Sequence, residues 1–157
     1  FNKWKSIPGM NTESGEIDFD YLNNWILNVR ALADKIGRKK VADVEIARII
    51  ANYNIKDGAL YSPSDEICLI AESLGTDSIS FRNNLNCSIS NRRGVTSRGV
   101  FDGGTQERNI AKHYEDKALE YSIDFPIMSS IFSDLSKSYM DEALRNDREA
   151  ALLDREH

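Results

Sequence analysis

Apolar residues recur three and four positions apart in stretch after stretch of this 157-residue chain, and glycine, proline or a capping polar residue closes each one. That rhythm admits helices and little else. After Asp18, the residues Phe19, Leu22, Trp25, Ile26, Val29, Leu32, Ala33 and Ile36 hold helical spacing, and Gly37 is placed to end the run. VADVEIARIIANY follows, with Asp43 as N-cap and Val44, Ala47, Ile50 and Tyr53 as its buried stripe. Ser62 and Pro63 open a third helix with an apolar face of Ile67, Ile70, Ala71 and Leu74, stopped by Gly75. A shorter helix after Asp77 carries Ile79, Phe81 and Leu85.

Thr105 then caps a helix bearing Ile110, Ala111, Tyr114, Ala118 and Tyr121, which Asp124, Phe125 and Pro126 break. A last long helix runs through Ile127, Ile131, Leu135, Tyr139 and Ala143, and its charged end, RNDREAALLDREH, is expected to fray or project into solvent. NIKDG reads as a turn, and VTSRGVF as at most a small β-like excursion with no partner of comparable strength. No repeat of 20 to 50 residues is present. The expected fold is all-α: a single-domain bundle of five or six helices with one long Gly/Arg-rich loop. Residues 1–17 are a lead-in whose Trp4 and Ile7 pack back, residues 18–150 the helical domain, and 151–157 a frayed end.

Chain length suffices to bury roughly two thirds of the unfolded surface, a core that needs neither metal nor disulfide. Hydrophobic residues at 41% and charged residues at 29% describe a globular chain rather than a disordered one. Cys68 and Cys87 are too few for a disulfide framework, and with His113 and His157 as the only histidines no zinc cluster assembles. No apolar run reaches the length of a membrane span, so a cytoplasmic location with no membrane partner is expected. The chain opens with Phe1, not Met, which suggests a piece of a longer protein.

Against a net charge of −5, the stretch NRRGVTSRGVFDGGTQER stands out. From Ser78 through Phe101 there is no acidic residue, while Arg82, Arg92, Arg93 and Arg98 contribute four cations. Glycines let backbone N–H groups approach a ligand, arginines offer forked donors, and Gly103, Gly104 and Thr105 lead into a helix whose first N–H groups are unpaired. These seven residues are therefore the candidate anion or partner site. The pattern nevertheless lacks the lysine of a phosphate-binding P-loop and the glycine spacing of a dinucleotide fingerprint. The ordinary explanation, which the sequence favours, is that the arginines tie the loop to helix carboxylates such as Asp116, Glu120, Asp134 and Asp141.

Other features carry less. A helix-turn-helix is disfavoured because its recognition helix would hold Asp65, Glu66 and Glu72 and no cation. Lys35, Arg38, Lys39 and Lys40 lie between the first two helices, where cations offset the negative end of a helix dipole, although a joint basic surface with the Arg loop stays open. His113 or Glu107 could act as acid or base, yet no nucleophile pattern accompanies either. Cys68 is expected to be buried and Cys87 exposed. The aromatic residues Trp4, Trp25, Tyr114, Tyr121, Phe132 and Tyr139 fall mostly at core spacing.

The segments NRRGVTSRGV and GGTQERNIAKHYEDKA with the FP-led helix behind them, together with WILNVRALADKIGRK and VADVEIARIIANYN, resemble a region near the C-terminus of very large, uncharacterised bacterial proteins. The resemblance covers most of the chain and implies a domain tethered to others. It carries no activity, catalytic residue or cofactor. The expected function is a non-catalytic helical accessory domain, without cofactor or metal, that docks to other domains of a parent chain or to a protein partner. A nucleic-acid or phosphate-binding module built on the Arg/Gly loop is the alternative.

Overall fold

The computed structural model describes residues 7–53, 59–93 and 103–155, which form six α-helices and no strand. The all-α expectation holds. The chain divides into two compact units, Phe1–Ile89 and Ser90–His157. The NIKDG turn, the VTSRGVF segment, Trp4, Gly94, Arg98 and Gly99 lie outside the described residues.

In the first unit, α1 (Phe19–Lys35) begins where the Asp18 carboxylate accepts the Tyr21 N–H at 2.9 Å. Leu22 and Ile26 are its fully buried residues. Gly37, at φ +66°, turns the chain with the left-handed geometry expected of a residue just past a helix end, and the Arg38 N–H returns to the Ala33 carbonyl. The lead-in is tied down as expected at Ile7, which is buried, and Met10 bridges to Ile17.

Three boundaries in this unit differ from the sequence expectation. Helix α2 (Lys39–Ala51) starts earlier than Asp43, which is no cap but a residue inside the helix with 3% of its surface exposed. Its carboxylate is solvated by protein instead of water: Arg30 Nε lies at 2.7 Å from Oδ1 and the Ser78 hydroxyl donates to Oδ2 at 2.6 Å. Helix α3 (Asp65–Asp77) starts after Ser62 and Pro63 because Ser64 is the N-cap, its Oγ accepting the Ile67 N–H. Gly75 does not stop it; the glycine is buried within the helix.

The short fourth helix extends to α4 (Ile79–Asn91), with Phe81, Leu85 and Ile89 buried at four-residue spacing. Ser78 accepts the Phe81 N–H while donating to Asp43, so one hydroxyl starts α4 and satisfies the buried carboxylate. Arg30 also reaches Asp77 at 3.3 Å. One hydrogen-bonded hub therefore joins α1, α2, the end of α3 and the start of α4. Cys68 is buried and Cys87 exposed, and neither is in a disulfide.

The second unit is an antiparallel helical hairpin of α5 (Thr105–Glu120) and α6 (Pro126–Arg155). Pro126 opens α6, where the missing N–H costs nothing. The two helices meet along a seam of small residues spaced by seven: Gly104, Ala111 and Ala118 on one side, Ser129, Ser136 and Ala143 on the other. The Ser129 hydroxyl donates to the Ala118 carbonyl at 2.7 Å, and the Ser136 hydroxyl to the Ala111 carbonyl at 2.8 Å. At the open end, a Cβ on Gly104 would stand within 2.6 Å of the Ala143 carbonyl carbon. Small side chains thus allow close backbone approach, and the two serines fix the register.

Beside this seam Tyr114 stacks on Phe132 and Tyr139, with ring centroids 5.7 and 5.9 Å apart, and Tyr121 packs against Phe125 and Phe132. These aromatic residues are core, as their spacing suggests. The charged end of α6, expected to fray or project into solvent, stays helical to Arg155; Arg145, Arg148 and Glu149 are exposed, while Asn146 is buried and Asp147 is bonded to the start of α5.

Candidate anion-binding site at the Gly/Arg segment

Six of the seven candidate residues are described, one in the first unit and five in the second. Arg82 belongs to the first unit, on α4, half-buried, with its Nε buried and lacking a hydrogen-bond partner. Arg92 and Arg93 follow α4 in the second unit, and Arg98 lies outside the described residues. Thr105 is the first, exposed residue of α5 and not its cap; that position belongs to Gly104.

Arg93 is held from several sides. It pairs with Glu107 at 2.5 Å and with Glu142 at 3.5 Å, and its guanidinium carbon lies 5.5 Å from the Tyr139 ring centroid. Glu107 is only 2% exposed. Burial alone would push its pKa up, but the Arg93 guanidinium, a backbone N–H and the nearby Asn146 amide outweigh this and hold the carboxyl below the ordinary glutamate range. Asn146 Nδ2 and Glu107 Oε2 nonetheless lack a well-aligned hydrogen bond, so the cluster is electrostatically closed but not fully satisfied.

The helix N-terminus is occupied too. Asp147, one α6 turn beyond Ala143, accepts the Gly104 N–H at 2.8 Å and pairs bidentately with Arg108 at 2.5 and 3.4 Å. Arg108 and the Gly104 amide lower the Asp147 pKa, and Asp147 in turn raises that of Arg108. Gly103 sits at φ +56°, and a Cβ there would come 2.7 Å from Asp147 Oδ1. A carboxylate of the same unit stands where an external anion would sit on α5.

Of the loop arginines expected to tie to helix carboxylates such as Asp116, Glu120, Asp134 and Asp141, Arg93 does pair with helix carboxylates, but with Glu107 and Glu142. Asp116 and Glu120 bond Lys112 and Lys117 on their own helix, each at 2.8 Å, and Asp134 and Asp141 are exposed. The reason is register: the seven-residue seam of small residues brings residue 147 to residue 104 and leaves Asp134 and Asp141 outside. That seam was the available signal for Glu142 and Asp147.

The two acid–base candidates lie on the same helix, α5. Glu107 is an ion-paired carboxylate displaced away from neutrality, and His113 packs edge-on against Tyr114 with centroids 5.1 Å apart. Among the described residues no group of three or more His, Cys, Asp or Glu side chains is placed to hold a metal ion, and no helix is long and apolar enough to cross a membrane. Compared with known proteins, the chain matches no family model, and no characterised protein or solved structure is significantly similar to it.

Proposed function

We propose that this chain is a non-catalytic helical interaction domain of a larger bacterial protein, docking to another domain of its parent chain or to a protein partner. The observation that carries this reading is the pairing, within the second unit, of Arg93 and of the start of α5. Arg93 already has Glu107 and Glu142, and the start of α5 already has Asp147. For Arg93 to serve as a phosphate ligand it would have to leave a buried carboxylate unpaired, at a cost of about 3–5 kcal/mol, before it met any ligand.

The test is fluorescence anisotropy with labelled single- and double-stranded DNA and RNA over a salt series, on the wild type and on Arg92→Ala/Arg93→Ala/Arg98→Ala, with melting curves alongside. The interaction reading expects no nucleic-acid affinity and a large loss of stability in the variant. Salt-sensitive binding by the wild type that disappears in a folded variant would replace it with the phosphate-binding alternative.

A further inference from the structure

Helix α1 carries more apolar surface than its unit covers. Leu22, Ile26, Val29 and Ala33 form the stripe that faces inward, with Leu22 and Ile26 completely buried. A second stripe, Trp25, Val29, Leu32 and Ile36, keeps the alternating four-and-three spacing of a helix-pairing seam. Along it burial fades: Trp25 and Val29 are half-buried, Leu32 is 62% exposed and Ile36 is 73% exposed. Val41, in the first turn of α2, is 51% exposed.

The charge around this stripe is one-sided. Between residues 34 and 42 four cations, Lys35, Arg38, Lys39 and Lys40, face the single carboxylate Asp34. Lys39 lies 4.0 Å from Asp77, whereas Lys35, Arg38 and Lys40 form no ion pair among the described residues. Lys35 suits the C-terminal end of α1. Lys39 and Lys40 do not share that explanation, because they open α2 and stand at the positive end of its dipole, where cations are unfavourable and the first turn holds no acid. An anionic partner would relieve that local repulsion.

We infer that the exposed half of the second α1 stripe, with Val41 and the flanking cations, docks an amphipathic helix whose apolar face is bordered by Glu and Asp. This deepens the interaction reading above and rests on it. A seam of about three turns along the side of a helix matches a second helix better than the flat surface of a membrane. Its apolar residues supply the adhesion, and Lys35, Arg38 and Lys40 select acidic flanks over basic ones.

The experiment titrates the full 157-residue chain against two labelled synthetic helical peptides with identical leucine seams, one flanked by glutamate and one by lysine. Expected is binding of the glutamate peptide, weakened by salt, with the lysine peptide at least about tenfold weaker. Leu32→Ser/Ile36→Ser should lose at least about tenfold in affinity with an unchanged circular dichroism spectrum, since both side chains are solvent-facing. Lys35→Glu/Lys40→Glu should reverse the preference between the peptides. No binding of the glutamate peptide, or equal binding of both, overturns the inference. So does sedimentation with vesicles of phosphatidylglycerol and phosphatidylcholine that Leu32→Ser/Ile36→Ser abolishes while neither peptide binds. If the peptides fail and nucleic acid is bound, the interaction reading falls as well; if both fail, only the partner's chemistry does.

Discussion

The Arg93 guanidinium lies 2.5 Å from the carboxylate of Glu107, a side chain almost wholly removed from solvent on the first turn of α5. Within the second unit, Arg93 ties residue 93 to both helices of the hairpin, through Glu107 of α5 and Glu142 of α6. Removing Arg93 leaves the buried Glu107 carboxylate without its ion pair. Arg93→Ala should therefore destabilise the second unit by about 3–5 kcal/mol, read as a fall in the urea midpoint. Replacing both residues with apolar side chains, Arg93→Met/Glu107→Leu, should recover most of that loss. A pair that contributed only surface charge would show a loss below about 1 kcal/mol in the single variant.

Gly104→Ala tests the seam itself. The new Cβ would overlap the Ala143 backbone, which belongs to the middle of a long helix and has no free end to move. A destabilisation of about 2 kcal/mol or more is expected in thermal or urea melts. Ala111→Leu should act similarly, because Ala111 is 1% exposed and faces Ser136. Melting curves unchanged by both substitutions would exclude the close approach.

Acid should weaken the second unit. Glu107 and Asp147 titrate below their ordinary values when folded, so the unfolded chain takes up protons that the folded chain refuses. Their contribution is complete above the unfolded values, 4.5 for glutamate and 3.8 for aspartate, and is lost as pH falls through the depressed folded values. The melting temperature is expected to drop steeply below about pH 4, and Glu107→Gln should flatten that slope. At the alkaline end, burial raises the Tyr139 pKa above 10.0, so stability falls again once the unfolded phenol ionises.

Ser78 has two tasks in the first unit, and Ser78→Ala removes both. It leaves the Phe81 N–H uncapped and Asp43 Oδ2 with only the longer, 3.4 Å hydrogen bond from Arg30 Nη2. A cost of about 1–3 kcal/mol is expected in urea melts. Asp43→Ala should cost at least as much, because Arg30 would keep only the longer contacts to Asp77. Glu45→Ala, on the surface of the same helix, serves as the control and should change little despite its pair with Arg48.

Helical spacing, Asp18, Gly37 and Pro126 sufficed to read an all-α chain and most of its helices. These signals are local: a capping carboxylate bonds an N–H three residues on, and an apolar stripe repeats within one helix. Buried aromatics on α5 and α6 were legible for the same reason. What sequence spacing did not yield was the fate of the charges. Asp43 looks like a cap because Asp is good at capping; only the arrival of Arg30 and Ser78 from other helices makes its burial tolerable. Arg93 was marked as a cation seeking an anion, but which carboxylate answers depends on the register of the α5–α6 hairpin, and hence on where Gly104 meets Ala143. Exposure of Leu32 and Ile36 was hidden likewise, since a periodic stripe shows that a face is apolar and says nothing of what covers it. Local hydrogen bonding and periodicity are written in neighbouring residues; burial, ion pairing and the uncovered face are set by which distant surfaces the fold brings together.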